Sequence, residues 1–434
     1  MDNRIDVDQT KEPYQLEKES KKRWLILIMT FSAIIITFID RVNLSAAAPG
    51  IMKEFDLSPA VMGVVFSAFA WSYTLMQIPG GYLTDRFGLR KTFTWSFGGW
   101  SAVTILTSFV TGLFSLTFWR TMLGAVEAPL YPGMVRLLNI WFKPTERAFA
   151  MSICSVALNF GLAIGVWLAA VLILTFGWRP MFFWEGVLSL IIIPLWWYFY
   201  REATVIPKAT TKVVMADGTP VRWYTLMKNR NVMALTIGYF GVNYSLFLFI
   251  SWLPSYFIKE WGFPLAKTGM YAFVVFGCGI IGKPFFGWLS GYLIEKCGWS
   301  LTKSRKSMLA SLSLFGASIG IVAIAPYPEL AAILLIVAEV TGQASGAICW
   351  ATAADIAPQR LSAQVGGILN LAAGFGGIIA PMVTGFLLAA TGSFYWPLMV
   401  AAGVMVVSAA CYTWMLGKVE SLDNQFREVP IITE

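Results

Sequence analysis

The sequence contains no histidine, and only 13% of its 434 residues are charged, about half the fraction typical of a soluble domain. Histidine is the side chain that ordinarily titrates near neutrality, so proton chemistry here would need a carboxylate whose pKa desolvation has raised. The five cysteines lie in apolar spans or on the predicted cytoplasmic side, so none is positioned for a periplasmic disulfide, and none has the spacing of a metal site. Because a nucleophile–base arrangement and a cofactor motif are also missing, we expect no enzyme activity, metal or cofactor.

Apolar residues dominate instead, at 57% of the chain, with a mean hydropathy of +0.67. Twelve apolar runs are each long enough to cross a bilayer as a helix. They span residues 24–48, 60–82, 92–111, 113–138, 148–175, 180–200, 232–258, 268–294, 307–326, 328–354, 362–391 and 394–417. The sequence therefore predicts an all-α membrane protein of twelve transmembrane helices, whose first run is an uncleaved anchor.

The formal charge of +8 indicates membrane topology rather than nucleic-acid binding. With a cytoplasmic N-terminus, four of the 32 Lys and Arg residues would lie outside and four within spans, which leaves 24 on the cytoplasmic side. This asymmetry follows the positive-inside rule and predicts that both termini are cytoplasmic. We expect membrane lipid and a small molecule as partners, and no nucleic acid.

The spans divide into two sets of six. We predict a cytoplasmic tail 1–23, a six-helix half 24–200, a cytoplasmic linker 201–230, a second half 231–417 and a C-terminal tail 418–434. A plan of two six-helix halves places the substrate between them near the midplane. Because the predicted outer loops are very short, a ligand must bind among the helices.

Two charge pairs interrupt the first half: Asp40 and Arg41 in the first span, and Arg120 and Glu127 in the fourth. A charge at mid-bilayer costs roughly 2.5–3.5 kcal/mol on insertion scales, so such residues face a partner or an aqueous path. Arg120 and Glu127 are seven residues apart, which places them about 10 Å apart on one helix face as a candidate ion pair. Two acids and two bases suggest a site that binds an anion and handles protons.

The second half carries fewer buried charges. Lys283 and Glu339 lie at similar depth, and we expect a structural pair, with a second anion contact or a coupling relay as alternatives. Asp355 and Arg360 are interpreted as a cytoplasmic gate or as helix-end charges. Glu185 is expected near the outer surface, where its side chain would snorkel or find a partner.

The loop after the second span reads Gly81-Tyr-Leu-Thr-Asp85-Arg86-Phe-Gly88-Leu-Arg90-Lys. It closely resembles the signature loop of the major facilitator superfamily. Asp85 can cap a neighbouring helix or pair with a base, and the resemblance implies a gating role for Asp85, Arg86 and Arg90. The equivalent loop of the second half has Gly291 at the aspartate position, so we expect that gate to be held differently.

Further motifs resemble the anion:cation symporters within that superfamily. They are Phe38-Ile-Asp40-Arg41-Val-Asn43-Leu-Ser45, Phe66 to Gly81 with Tyr73, Arg120-x6-Glu127-Ala-Pro129-x2-Pro132, and Gly366-Gly-Ile-Leu-Asn370-x3-Gly374. The pattern is similar to bacterial galactonate and glucarate transporters and, more distantly, to sialin and the vesicular glutamate transporters.

The resemblance implies that Arg41 contacts the substrate carboxylate, which suits the planar fork of a guanidinium. It implies that Asp40 and Glu127 couple transport to protons, so that the proton is the coupling ion. Substrate contacts are expected from residues of several spans: Tyr73, Arg120, Asn159, Trp350 and Asn370.

The chain departs from the galactonate type where that type has a glutamine and small hydroxyl residues. Leu158, beside Asn159, replaces the glutamine, and Ala347 and Cys349 replace hydroxyl residues near Trp350. Fewer hydroxyl-reading groups favour a deoxy sugar acid, a dicarboxylate or an aromatic acid over a fully hydroxylated sugar acid.

The predicted function is proton-coupled import of an organic carboxylate across a bacterial inner membrane by a protein that works as a monomer. Sodium coupling and exchange of phosphorylated metabolites are alternatives. A ligand sensor built on the same fold is a third, which the short termini do not favour.

Overall fold

The computed structural model describes residues 22–201, 211–215, 223–357, 361–422 and 426–430. Its helices in chain order are α1 (Lys22–Glu54), α2 (Pro59–Thr107), α3 (Leu113–Glu127), α4 (Leu130–Trp141), α5 (Pro144–Phe176), α6 (Trp178–Ser189), α7 (Ile192–Phe199), α8 (Trp223–Met227), α9 (Arg230–Trp261), α10 (Leu265–Glu295), α11 (Leu301–Gly316), α12 (Ile319–Val322), α13 (Pro328–Ile356), α14 (Ser362–Thr391) and α15 (Tyr395–Ala410), which continues into a π-helix (Cys411–Met415).

The twelve predicted spans are accounted for by these helices, although their boundaries differ. Among the described residues, nine helical stretches are long and apolar enough to cross a membrane. One of them, Pro59–Thr107, contains two predicted spans, and the remaining two spans are broken helices formed by α3 with α4 and by α11 with α12. The predicted all-α fold of two six-helix halves is confirmed.

The breaks in the helices have local causes. Gly88, in the signature loop, adopts φ +83° and turns the chain within Pro59–Thr107. Pro129 follows Glu127 and separates α3 from α4. Gly80 passes so close to the backbone of Pro129 that a Cβ atom would lie 3.0 Å away. The break after Glu127 therefore occurs where a second helix packs against the chain.

Both ends of the described chain lie on one side of the helix bundle, which we call the termini face. The backbone N–H of Leu422, beyond the last helix, donates to the carbonyl of Ile356 at the end of α13. The opposite face carries only short connections, such as residues 55–58 and 262–264. Two short strands, β1 (Thr211–Met215) and β2 (Phe426–Pro430), pair antiparallel and join the linker to the C-terminal tail, an addition that apolar runs do not predict.

The hydrophobic core is shared between the halves on one side only. The largest cluster unites residues of α1, α2, α5 and α6 with residues of α9, α10, α13 and α14. Cross-half contacts within it include the Phe66–Trp252 ring pair at 5.2 Å and the Ser67 hydroxyl donating to the Ile378 carbonyl at 2.7 Å.

Toward the termini face, each half has a separate core. One cluster contains only residues between Ile26 and Tyr200, and the other only residues between Leu226 and Leu422. Among the described residues, no buried apolar cluster joins the halves on this side. The buried apolar core thus joins the halves toward the opposite face and, within the described ranges, not toward the termini face.

Candidate functional site

The first half holds a buried ion pair between neighbouring spans. Arg41 Nε lies 3.2 Å from Glu127 Oε2, and the Glu127 side chain is 0% exposed while that of Arg41 is 8% exposed. The rings of Phe38, Phe69 and Tyr73 surround the guanidinium at 4.4, 5.0 and 4.5 Å. Aromatic faces stabilise a cation without neutralising it, so Arg41 keeps its capacity for an anion.

Arg120 does not pair with Glu127, and the expected pairing along one helix is wrong. The Arg120 guanidinium instead donates to the backbone carbonyl of Asp40 at 3.1 Å and to Asn43 Oδ1 at 2.9 Å. The Asp40 carboxylate accepts from the Thr104 hydroxyl at 3.2 Å. The spacing placed Arg120 and Glu127 on one face, but each side chain finds its partner on α1.

Glu185 is the second departure from expectation, because it does not lie near the surface. Its residue is only 6% exposed, and Glu185 Oε2 accepts from Asn43 Nδ2 at 2.9 Å. Asn43 therefore connects Glu185 on α6 with Arg120 on α3. The orientation of α6 points the Glu185 side chain into the bundle. Counting residues from Arg179 gives the depth of Glu185 along the helix but not the side of the helix on which it lies.

The buried network of the first half thus contains three acids and two bases: Asp40, Glu127, Glu185, Arg41 and Arg120. One oxygen of each acid is buried without a hydrogen-bond partner among the described residues. Such an arrangement is unbalanced when every group is ionised. It can accept protons, and it can respond to an added anion.

Aromatic side chains of both halves accompany this network. Trp350 Nε1 donates to the Tyr239 hydroxyl at 2.9 Å, and both residues are half-buried, as are Tyr73 and Asn370. Tyr131 on α4 lies within electrostatic reach of Tyr73 and Tyr239. Trp350 and Tyr73 were predicted to contact the substrate, and that role stays a prediction. Tyr131 and Tyr239 were missed, because tyrosines on apolar spans are common and nothing in the local pattern singles out these two.

Asn159 lies where the halves meet rather than in an open cavity. It is 0% exposed, and both polar atoms of its side chain lack a partner among the described residues. A Cβ atom added at Gly279 would lie 2.9 Å from Asn159 Nδ2 and 3.3 Å from Glu339 Oε1. Asn159 was predicted to contact the substrate, but α10 covers its side chain in this conformation.

The predicted Lys283–Glu339 pair is not closed. Among the described residues, no ion pair within 4.0 Å joins the two side chains, and Glu339 Oε1 instead accepts from Gln343 Nε2 at 3.0 Å. Lys283 is half-buried and interacts with Glu339 electrostatically. The second half therefore holds one acid and one base at a distance, without the dense network of the first.

Comparison with known proteins agrees with this architecture. The family model described as Major Facilitator Superfamily matches residues 30–302 and 290–431. The chain belongs to the major facilitator superfamily. It is therefore a multi-pass membrane transporter and not an enzyme.

Two curated relatives of this transporter cover nearly its whole length. The "D-galactonate transporter" of Escherichia coli O6:H1 (strain CFT073) is 32% identical over 94% of this chain and 99% of its own length. The "Probable galactarate/D-glucarate transporter GarP" of Escherichia coli K12 is 30% identical over 93% of this chain and 96% of its own length. A bacterial homologue of the human lysosomal transporter Spinster, solved in an inward-facing and unoccupied conformation, shares the fold with a TM-score of 0.75 and 17% identity over 92% of this chain and 98% of the solved chain.

The signature loop of the superfamily is held by contacts within its own half. Asp85 forms an ion pair with Arg136 of α4 at 2.6 Å. Arg90 donates to the Trp197 carbonyl at 2.6 Å and lies over the Trp197 ring, whereas Arg86 lies against Phe87.

The second half uses a different pair at the termini face. Arg305 Nε lies 2.8 Å from Asp355 Oδ2, and the same guanidinium donates to Ser290 Oγ at 2.9 Å. Ser290 precedes Gly291, the position where the first half has its aspartate. The gating roles of these residues remain predictions, and Arg360 lies outside the described residues.

Proposed function

We propose that this transporter carries an organic carboxylate together with protons into the cytoplasm, across a bacterial inner membrane. The substrate class is that of sugar acids and related mono- and dicarboxylates, as in the names of the two curated relatives. Arg41 anchors the carboxylate, and Asp40 and Glu127 bind the coupled protons.

The observation that carries this proposal is the state of Arg41. A guanidinium held by one carboxylate, that of Glu127, and by the side chain of Tyr73 among the aromatic rings has donors left for a second anion. A substrate carboxylate can take these donors in a bidentate arrangement. Its arrival then competes with Glu127 for the same positive charge.

That competition provides the coupling. A carboxylate that loses its arginine inside an apolar bundle is left as an uncompensated buried charge, which is costly unless it binds a proton. Glu127 is fully buried, so protonation is the available remedy. Binding of the anion and binding of a proton to Glu127 therefore favour each other, as a symporter requires.

The arrangement of the halves supports alternating access by rocking about the central site. The shared core joins the halves at the opposite face, and the separate cores leave the termini face without a shared apolar seal among the described residues. If both termini are cytoplasmic, this is the inward-facing state, from which an imported substrate would leave.

A less hydroxylated acid is a second candidate substrate, and burial of two side chains favours it. Asn159 is covered by α10, and Cys349 is fully buried with its Sγ directed at the Leu235 carbonyl. Neither can read a substrate hydroxyl in this conformation. A deoxy sugar acid, a dicarboxylate or an aromatic acid would demand fewer such contacts.

The test is uptake of labelled acids by proteoliposomes that contain the purified protein. D-galactonate, D-glucarate, a deoxy sugar acid and an aromatic acid are each offered under an inward proton gradient, an inward sodium gradient, or no gradient. We expect one acid class to accumulate under the proton gradient alone. Accumulation driven by sodium, or exchange that never exceeds equilibration, would contradict proton symport and support the sodium or exchange alternatives.

A further inference from the structure

Glu185 is a buried acid to which the proposed mechanism gives no role. It lies on α6, seven residues after Trp178 at the opposite face, or about 10 Å into the bundle by helical rise. Asn43 links it to the Asp40–Arg120 group through hydrogen bonds of 2.9 Å on each side. Glu185 is therefore part of the network that contains the candidate coupling residues.

The three acids of this network are not equally well compensated. Glu127 has a direct ion pair with Arg41. The Asp40 carboxylate accepts from Thr104 at 3.2 Å and from Asn43 at 3.5 Å. The guanidinium of Arg120 lies beside it and donates to the backbone carbonyl of Asp40.

Glu185 has the amide of Asn43 as its hydrogen-bond donor. Among the described residues, no base lies within 4.0 Å of its carboxyl group, and Glu185 Oε1 is buried without a partner. Of the three, this acid has the least to stabilise a negative charge.

The charged groups that face Glu185 come from two neighbouring helices. Asp40 on α1 acts against its negative charge, and Arg120 on α3 favours it. Arg120 already serves the Asp40 carbonyl and Asn43. The segment of α2 packed against α6 contributes the hydroxyl of Ser101, which contacts Ser189, and no titratable side chain from this segment acts on Glu185 among the described residues.

From this geometry we infer that Glu185 is a third proton-binding group of the transporter, which carries a proton in this conformation and so keeps the network neutral. Two bases then balance two carboxylates, Asp40 and Glu127. Loss of the Glu185 proton leaves one excess negative charge in the buried network that contains Arg41, which repels an incoming anion. Glu185 thus sets the alkaline limit at which the site still accepts its substrate. This consequence rests on the proposed function, whereas the protonation itself does not.

The protonation is tested without any substrate, by infrared difference spectroscopy of the reconstituted protein between about pH 5 and about pH 9, a range that brackets ordinary and strongly raised carboxyl titrations. We expect the carbonyl band of a buried protonated carboxyl group at neutral pH, lost on alkalinisation and missing from Glu185→Gln. Asp56→Asn, which removes an exposed carboxylate on the opposite face, should retain the band.

Two results would overturn the inference: identical spectra of the wild type and Glu185→Gln, or a neutral-pH band that disappears in Asp40→Asn but not in Glu185→Gln. Glutamine is isosteric and can still accept from Asn43, so Glu185→Gln should fold. If it does not, Glu185→Asp keeps an acid in a changed position, and its band must then move in frequency or titrate at a different pH. An unmoved band in Glu185→Asp would count against the proposal.

A second measurement separates this inference from the proposed function. Affinity for the transported acid is measured against pH for the wild type and Glu185→Gln. At acidic pH we expect the wild type and Glu185→Gln to bind the transported acid with equal affinity. At alkaline pH we expect Glu185→Gln to bind it about tenfold more tightly, a difference of roughly 1.4 kcal/mol. Equal affinities of the two proteins at every pH would contradict the role of Glu185 in setting the alkaline limit of substrate binding. If no organic acid binds either protein, the proposed function fails while the spectra still decide the protonation of Glu185.

Discussion

The two halves share a fold but divide the chemistry unequally. The first half concentrates three acids and two bases in one buried network, whereas the second holds Lys283 and Glu339 without a closed ion pair. The second half contributes mainly aromatic surface, through Tyr239 and Trp350. Under the proposed function, the first half would bind the coupled protons, and the second half would supply an aromatic wall of the substrate site.

The strongest test of this division compares the cation of each half. Arg41→Ala should reduce affinity for the transported acid by about 100-fold, since a charge-assisted bidentate contact is worth roughly 3 kcal/mol. Lys283→Ala should cost less than about tenfold, because an electrostatic contribution over a longer range is smaller. Calorimetric titration of both variants measures the difference. A larger loss in Lys283→Ala would move the anion site to the second half.

The acids can be compared in the same way. Glu127→Gln should abolish accumulation under a proton gradient while leaving exchange of internal for external substrate in place, because the glutamine permanently mimics the protonated acid. Glu339→Gln should retain accumulation, since Glu339 is held by Gln343 and not by an anion-binding arginine. Uptake and exchange are measured in the same proteoliposomes. Loss of gradient-driven uptake in both variants would show that the second half also couples.

The sequence predicted the spans and which charged residues lie within them, but not which side chains form ion pairs or hydrogen bonds with one another. Apolar runs report helices because a bilayer demands about 20 apolar residues whatever the helix packs against. The spacing of Arg120 and Glu127 is a property of one helix, and the structure shows that both residues are committed to α1 instead. Glu185 was misplaced for a related reason: residue counting gives depth, whereas the rotation of α6 decides whether an acid faces lipid, water or Asn43.

Tyr239 shows a different limit of sequence reasoning. Its role depends on the hydroxyl that accepts from Trp350, a residue 111 positions away. By contrast, the turn at Gly88 was predictable because its cause is local: the motif spacing marks it, and the observed φ of +83° is accessible to glycine. The features that the sequence predicted, spans and turns, have local causes or are imposed by the membrane. The features that it did not predict depend on contacts between helices.

The halves contribute equally where they close at the opposite face. A Cβ atom at Gly63 would lie 2.5 Å from the Pro381 carbonyl oxygen, and one at Gly385 would lie 2.5 Å from the Pro59 carbonyl oxygen. Alanine at either position must therefore separate the halves on this side. At an overpacking cost of about 1–3 kcal/mol, each variant should shift the population toward the state open at the opposite face by roughly 5- to 150-fold.

Distances between spin labels placed on the two halves measure that shift. Gly367→Ala is the matched control, since a Cβ atom there meets nothing within 4 Å. A shift in Gly63→Ala without one in Gly385→Ala would indicate that the first half accommodates the added methyl group at Pro59, whereas the second half does not accommodate it at Pro381.

The smallest expected effect concerns the ion pairs at the termini face. Asp85–Arg136 and Arg305–Asp355 each join helices within one half, and the carboxylates are 75% and 26% exposed. Solvent-exposed pairs contribute about 0–1 kcal/mol, so Asp85→Asn should leave the melting temperature nearly unchanged. Asp355→Asn should lower it more, because its partner also holds Ser290 and the pair is better shielded. Thermal unfolding of the two variants in detergent decides the order. If Asp85→Asn were instead the less stable variant, Asp85 would have to stabilise the protein through a contact other than its pair with Arg136. A contact formed only when the termini face closes would be one such case.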